Sequence, residues 1–305
     1  MTTADHPALR PDFLRDLLVA PHGPLTRLEV VEESGSTNTE LAAAVAADPQ
    51  AWPAPALLVA EHQVAGRGAR GGAGRPGPDG VDGLAPGPPR RPARAAELAA
   101  AAGGTRDGPL PARHGGVEAV VKWPNDVLVP APGEATSAVP AGAGEVAGWG
   151  THRKVAGILC ELLPDGGAIV GVGLNVLQSE GELPVASATS LALVGAATTD
   201  REVLLTALEE SFVQILGRWQ DADGDAAAAG LVKECEEVSI TLGAQVRVEL
   251  TGGEQVLGEA YGFGVDGALL VREEDGTSRT LHSGDVHHLR LRDGAAADGA
   301  VDGAQ

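Results

Sequence analysis

The chain has 305 residues, enough to bury a core in one to three domains, and 22 Lys and Arg stand against 42 Asp and Glu for a formal net charge of −20. Phosphate backbones are gripped by clustered Lys and Arg, so this charge, with no basic stripe or helix-turn-helix pattern, argues against nucleic acid as a partner. No apolar run approaches the roughly 18 residues of a membrane span, none follows Arg10 and Arg15 as in a secretion signal, and two distant cysteines, Cys160 and Cys235, make neither a disulfide framework nor a zinc site, so a reducing cytoplasm is expected.

Residues 1–24 read as a flexible lead-in with one short helix near 14–19. Residues 25–32 follow as a strand. Thr37 and Glu40 have capping-box spacing, so a helix is expected from there to about Asp48, ahead of Pro49. Hydroxyl and amide groups at such an N-terminus suit a polar ligand. A short apolar strand at 56–60 leads into Glu61-His62-Gln63 and then Gly66-Arg67-Gly68. Glycines flanking an arginine let the backbone approach a ligand closely, and the guanidinium can hold a carboxylate or phosphate in a bidentate way. The Gly-Lys-Ser/Thr ending of a Walker loop is missing.

Residues 69–116 change character. They hold 12 Gly and 8 Pro and no Ile, Phe, Tyr, Trp or Met. That composition predicts no core strand, and at most one short helix at 93–102. The pattern recovers at Val117 and reaches Lys122-Trp123-Pro124-Asn125-Asp126, a rigid polar turn between two extended apolar runs. It concentrates a fixed cation, an amide and a carboxylate, the last two being oxygen ligands suited to Mg²⁺. A second Pro/Ala/Gly-rich loop spans 130–150.

Strands at 155–163 and 168–176 flank the turn signal Pro164-Asp165-Gly166-Gly167, which predicts a hairpin. Such a hairpin places Lys154 and Asn175 at one end, and Cys160 reads as a small core residue. Thr199 with Glu202 predicts a second capped helix, with Leu204, Leu208, Phe212, Ile215 and Trp219 on its core face. An Ala-rich helix ends near Glu237. From Val238 to 292, short strands between Gly-rich turns predict a small β-barrel, and 293–305 a disordered tail. His282, His287 and His288 cluster on its rim without a cysteine partner, which argues against a metal site there. The residues alone thus predict an α+β domain, 25–237, followed by a β-rich one.

In their order along the chain these motifs resemble the biotin protein ligases. The matching runs are Ser36-Thr37-Asn38, Glu61-His62-Gln63 with Gly66-Arg67-Gly68, Lys122-Trp123-Pro124-Asn125-Asp126 and Arg153-Lys154-Val155-Ala156-Gly157-Ile158-Leu159. Gly171-Val172-Gly173-Leu174-Asn175-Val176, Ala188-Thr189-Ser190-Leu191 and Ser283-Gly284-Asp285-Val286 complete the set. The resemblance implies a mixed α/β catalytic domain like that of class II synthetases, with an SH3-like C-terminal barrel. It implies an ATP-dependent, AMP-forming enzyme that makes biotinyl-5′-AMP and transfers biotin to a lysine of the carrier domain of acyl-CoA carboxylases. The family's N-terminal DNA-binding domain has no counterpart, as in short forms that ligate without regulating transcription.

The resemblance also implies roles. Lys154 would bridge the biotin carboxylate and the α-phosphate, and Arg67 with Gly68 would close over biotin and the adenylate. Ser36, Thr37, Asn38, Gln63 and Gly157 would line the biotin pocket. Lys122, Asn125, Asp126 and Asn175 would hold ATP and Mg²⁺, with Asp126 on the metal and Trp123 packing nearby. The family's glycine loop continues Gly-Arg-Gly-Arg and then a further Gly-Arg, where this chain has Ala69 and Gly72. A clean break at 69 and a clean return at 117 suggest a compensated pair of frameshifts. Codons for Glu97 to Gly103, shifted by one nucleotide, can spell Trp-Leu-Pro-Leu-Leu-Ala. Taken as written, the segment implies an impaired biotin- or carrier-binding module, and a lipoyl ligase is the related alternative that competition by lipoate would reveal.

Overall fold

The structure, a computed structural model, describes residues 7–63, 77–85, 117–131, 149–183 and 185–288, with only the backbone path of 77–85 and His288. The helix expected at 93–102, most of the 130–150 loop, and the 293–305 tail lie outside the described residues. A seven-stranded sheet and a five-stranded sheet organise the rest.

Helix α1 (Pro11–Leu18) opens the described chain. Strand β1 (Arg27–Ser34), helix α2 (Thr37–Ala47) and strand β2 (Ala56–Gln63) follow, with β1 and β2 parallel. Next come β3 (Gly77–Ala85), β4 (Val120–Lys122), β5 (Asp126–Pro130), β6 (His152–Leu162) and β7 (Ala168–Leu174). The sheet order is β1-β2-β3-β7-β6-β5-β4, antiparallel everywhere except β1–β2. The directions alternate so that the C-terminal ends of β1, β2 and β7 and the N-terminal end of β6 share one edge.

Both faces are covered, and alternation along the strands assigns the contacts. On one face, Leu41 and Val45 of α2 pack with Leu58 of β2 and Ile169 of β7. On the other lies α3 (Arg201–Asp221). Its Leu205 joins Leu57 and Val59 of β2, while Leu204, Leu208 and Phe212 pack on the cluster that holds Ile158, Val170 and Val172. Helix α4 (Leu231–Val238) leads to the second sheet, built from β8 (Gln245–Glu249), β9 (Gln255–Phe263), β10 (Leu269–Arg272), β11 (Ser278–Leu281) and β12 (Asp285–His288). Its order is β11-β10-β9-β8-β12, around Val246, Val248, Val256, Ala260, Leu269 and Val271.

Several expectations are corrected. The lead-in is packed from residue 7 on, because Leu9, Leu14 and Leu18 are buried against Leu25, Leu28, Leu57 and Val59. The N-cap of α2 is Ser36, one residue before Thr37, and the Glu40 carboxylate accepts from Gly35 N at 2.8 Å. The cap of α3 is Asp200 rather than Thr199, its side chain accepting from the backbone N–H of Glu202 and Val203. The Glu202 carboxylate is instead paired with Arg10. The last helix is not the Ala-rich stretch, which forms turns ahead of it. The largest correction is β3: a strand occupies the Gly/Pro-rich segment, pairing with β2 on one side and β7 on the other. Ladder hydrogen bonds come from the backbone, so the sheet can fill this position with residues of low strand propensity.

Candidate active site

The hairpin β6–β7 is the site's foundation. Its turn is closed by Leu163 N donating to Gly167 O at 2.8 Å and by the Asp165 carboxylate accepting from Gly167 N at 2.9 Å. Pairing runs from Leu162↔Ala168 to Ala156↔Leu174, which brings Lys154 and Asn175 to the same end as expected. Asn175 N donates to Val155 O at 2.9 Å, and its Nδ2 donates to Thr189 O at 2.9 Å. Thr189 N in turn donates to Lys154 O at 2.8 Å. The loop at 187–191 is thus tied across the hairpin's open end.

A β-bulge aims the lysine. Against β5, Val127 faces Ala156 and Leu128 faces Lys154, so Val155 is an extra residue on β6. In a regular strand residues 154 and 157 would point to opposite faces. The bulge puts them on the same face, and Lys154 Nζ reaches Asp126 Oδ1 at 2.5 Å. Asp126 is itself the register partner of Gly157. A Cβ on Gly157 would lie 3.0 Å from Lys154 Nζ and 3.1 Å from its Cε, so the lysine crosses the strand where a side chain is missing. Gly157 pairs with Gly173, where an added Cβ would meet nothing closer than Gly157 O at 3.9 Å. Two adjacent glycines leave open space beside the ammonium.

Lys122 ends β4 opposite Asp126. It is buried, with its Nζ 5.6 Å from the centroid of the Trp149 ring. Asn125 accepts from Ile158 N at 2.9 Å through its carbonyl, which fastens the polar turn to β6. The Trp123–Pro124 peptide is cis. Trp123 does pack rather than line the opening, and it is buried in the core of the second sheet.

Residues 241–289 match the family described as the biotin protein ligase C-terminal domain. The chain is 33% identical over 295 residues to the biotin--[acetyl-CoA-carboxylase] ligase of Mycobacterium tuberculosis, covering 94% of this chain and 99% of that one. The chain belongs to the biotin protein ligase family. Its fold is similar to that of the Aquifex aeolicus biotin protein ligase in complex with biotin and ATP, with a TM-score of 0.61 at 23% identity over 87% of this chain and 100% of that one. A biotin protein ligase-like protein of unknown function from Silicibacter shares it at TM-score 0.53 and 15% identity, over 82% of this chain and 93% of that one. The fold class expected from the sequence, a mixed α/β synthetase-like domain with an SH3-like barrel, is the one observed.

In this biotin protein ligase, Lys122, Asn125, Asp126, Lys154, Gly157 and Asn175 gather around the β5–β6–β7 ends. Ser36, Thr37 and Gln63 gather at the start of α2, where Gln63 Nε2 donates to Thr37 Oγ1 at 2.9 Å. Asn38 follows them on α2, and its Nδ2 donates to Leu159 O at 3.2 Å and Glu161 Oε2 at 2.9 Å, which ties α2 to β6. Arg67 and Gly68 lie outside the described residues. Glu61 serves as a brace, accepting from Leu9 N at 2.7 Å and pairing with Arg201 at 2.6 Å. Sequence reasoning missed Gly173 as a floor residue, although Gly171 and Gly173 two apart on a strand signal one small-residue face. It also missed the buried hydroxyls of Ser34 and Thr189, which find no hydrogen-bond partner among the described residues. No helix among the described residues is long and apolar enough to cross a membrane.

Proposed function

We propose that this chain is an ATP-dependent ligase that joins biotin to a lysine of a biotin carboxyl carrier domain. In the first step a biotin carboxylate oxygen bonds to the α-phosphorus of ATP. The bond to the bridging oxygen breaks, and pyrophosphate leaves. In the second, a neutral carrier lysine attacks the acyl carbon of biotinyl-5′-AMP and loses a proton as AMP departs. Both reactants of the first step are anions, so the site must offset their repulsion and hold them in line.

The observation that carries this reading is Lys154 crossing Gly157 to Asp126 beside the open glycine floor. Its ammonium is about a third exposed and stands where two anions would meet. Lys122 adds a second cation with little water around it, which strengthens its field. Asp126 would hold Mg²⁺, and no set of three protein ligands surrounds it among the described residues. That suits an ion which keeps phosphate and water oxygens, and which neutralises charge on the triphosphate when bound. Ser36, Thr37, Asn38 and Gln63 would contact biotin, with Gly157 in the pocket floor leaving Lys154 its path, and Asn125 and Asn175 would contact the nucleotide. Arg67 and Gly68 would close the pocket and exclude water from the adenylate.

Pyrophosphate release with biotin and ATP, followed by transfer of labelled biotin to a carrier domain, tests the proposal. Release without transfer would remove the carrier as acceptor, and faster turnover with lipoate would replace the substrate. The Gly- and Asp-rich composition of β3 favours a second reading, a chain that binds biotin but activates it poorly. Biotin binding by calorimetry with no pyrophosphate release would select it.

A further inference from the structure

We infer that Trp123 is a positioning residue through which the barrel holds the phosphate end of the site in register; this rests on the ligase reading above. The turn 123–125 is clamped from two sides. On the barrel side, Trp123 N donates to the buried Thr241 Oγ1 at 3.1 Å, and Trp123 Nε1 donates to Gly267 O at 3.1 Å. The indole is 3% exposed and packs with Cys235, Val246, Phe263 and Leu269, a cluster otherwise made of the second sheet and α4. Val121 bridges Ser239, and Ile240 N donates to Val121 O at 2.9 Å. Gly267 is held in place by its own turn: its φ is +75°, its N–H donates to Gly264 O at 2.9 Å, and the Asp266 carboxylate accepts from Ala268 N at 3.2 Å.

On the catalytic side, the same turn gives its Asn125 carbonyl to Ile158 N and ends in Asp126, which holds Lys154. Lys122 precedes Trp123 directly. A shift of the barrel relative to the sheet therefore moves Lys122 and Asp126 together, whereas Ser36, Thr37 and Gln63 lie on elements that the tryptophan does not touch. The barrel acts here as a brace for the phosphate-binding turn. Loss of the brace should impair ATP use and leave biotin binding intact.

Two variants test this in the full-length chain. Trp123→Phe keeps a ring in the barrel core and deletes the Nε1 donor, and Thr241→Val deletes the hydroxyl acceptor with little change of shape. In both, amide hydrogen exchange at 120–126 and 154–158 should rise about fivefold or more while 56–60 stays unchanged. In both, kcat for pyrophosphate release should fall about tenfold while the biotin dissociation constant stays within about twofold. If either variant fails to fold by circular dichroism, the other decides. Exchange that rises only within the barrel, or equally throughout the sheet, overturns the inference whether or not the chain is active. Unchanged kinetics in both variants with an active parent overturn it as well. A parent that binds biotin yet releases no pyrophosphate refutes the ligase reading alone, and the exchange pattern still settles the role of Trp123.

Discussion

Strands β3 and β7 lie side by side in the larger sheet, and their sequences are suited to it to different degrees. β7 presents Ile169 to α2 and Val170 and Val172 to α3, so burial of its side chains fixes its register. β3 reads Gly-Pro-Asp-Gly-Val-Asp-Gly-Leu-Ala between two strands, β2 and β7, whose residues are mostly buried and apolar. Its pairing to β2 and β7 is a matter of backbone hydrogen bonds. The sequence of β7 carries the apolar pattern that specifies a strand, and the sequence of β3 does not. Chemistry follows the first kind, because only a strand with a fixed register can aim a lysine.

The largest expected effect tests that link. Lys154→Ala should lower pyrophosphate release by about 10²- to 10³-fold, the loss typical of removing one preorganised charge from a transition state. The hairpin itself is held by apolar pairs and ladder bonds, so the melting temperature should move by only about 1 °C. Adenylate production left intact in this variant would remove the hairpin's claim to the chemistry and, with it, the contrast between the two strands.

Helix α3 packs on Val170 and Val172 of β7, and its Glu209 sharpens the comparison. This carboxyl group is buried, its Oε1 has no hydrogen-bond partner among the described residues, and burial pushes its pKa up to about 7 from 4.5. A raised pKa means that the fold prefers the protonated acid. Its contribution is fully present below about pH 4.5 and is lost as pH rises through about 7. Glu209→Gln should therefore match the parent near pH 4 and gain on the order of 3 kcal/mol by pH 8, read from urea denaturation at both pH values. No gain at pH 8 would mean that the carboxylate is already paired.

A smaller effect concerns β3 directly. Codons compatible with Asp79 to Gly87, read one nucleotide later, can spell Thr-Gly-Trp-Thr-Ala-Ser-Leu-Leu. That is a strand-forming sequence at the place where the sheet needs one, alongside the shifted reading available at 97–103. Resequencing the gene across 69–116 should return the shifted frame. Exchanging 79–86 for the shifted residues should stabilise the chain by about 1 kcal/mol, since it removes one interior strand glycine, Gly83, at about 0.5–1 kcal/mol. An unchanged gene, together with a lower melting temperature for the exchanged chain, would make β3 native as written.

How far the sequence could be read follows the same division. The hairpin and the shared end of Lys154 and Asn175 were visible, because apolar runs and a Pro-Asp-Gly-Gly turn set them locally. The bulge at Val155 was not, since it exists only in the pairing of β6 with β5, set by residues some 25 positions upstream. The helix caps were misplaced by one residue because Ser36, Thr37, Thr199 and Asp200 are all competent cap types, and only the backbone's turning point chooses among them. The packing of the lead-in depended on Leu57 and Val59, far along the chain.

The smallest expected effect isolates aim from stability. Gly157→Ala places a methyl group 3.0 Å from Lys154 Nζ, and the atoms it meets belong to the far end of a flexible side chain. The lysine can swing aside, so the fold should hold, with a melting temperature within about 2 °C of the parent. The ammonium then leaves the line between Asp126 and the glycine floor, and a displacement of about 1 Å is enough to cost on the order of tenfold in rate. Pyrophosphate release should fall by that amount at saturating ATP and biotin, and Gly157→Ala combined with Lys154→Ala should be no worse than Lys154→Ala alone. If the double variant loses a further tenfold, the glycine contacts the ligand directly instead of clearing a path for the lysine. Gly157 would then belong to the pocket wall in its own right.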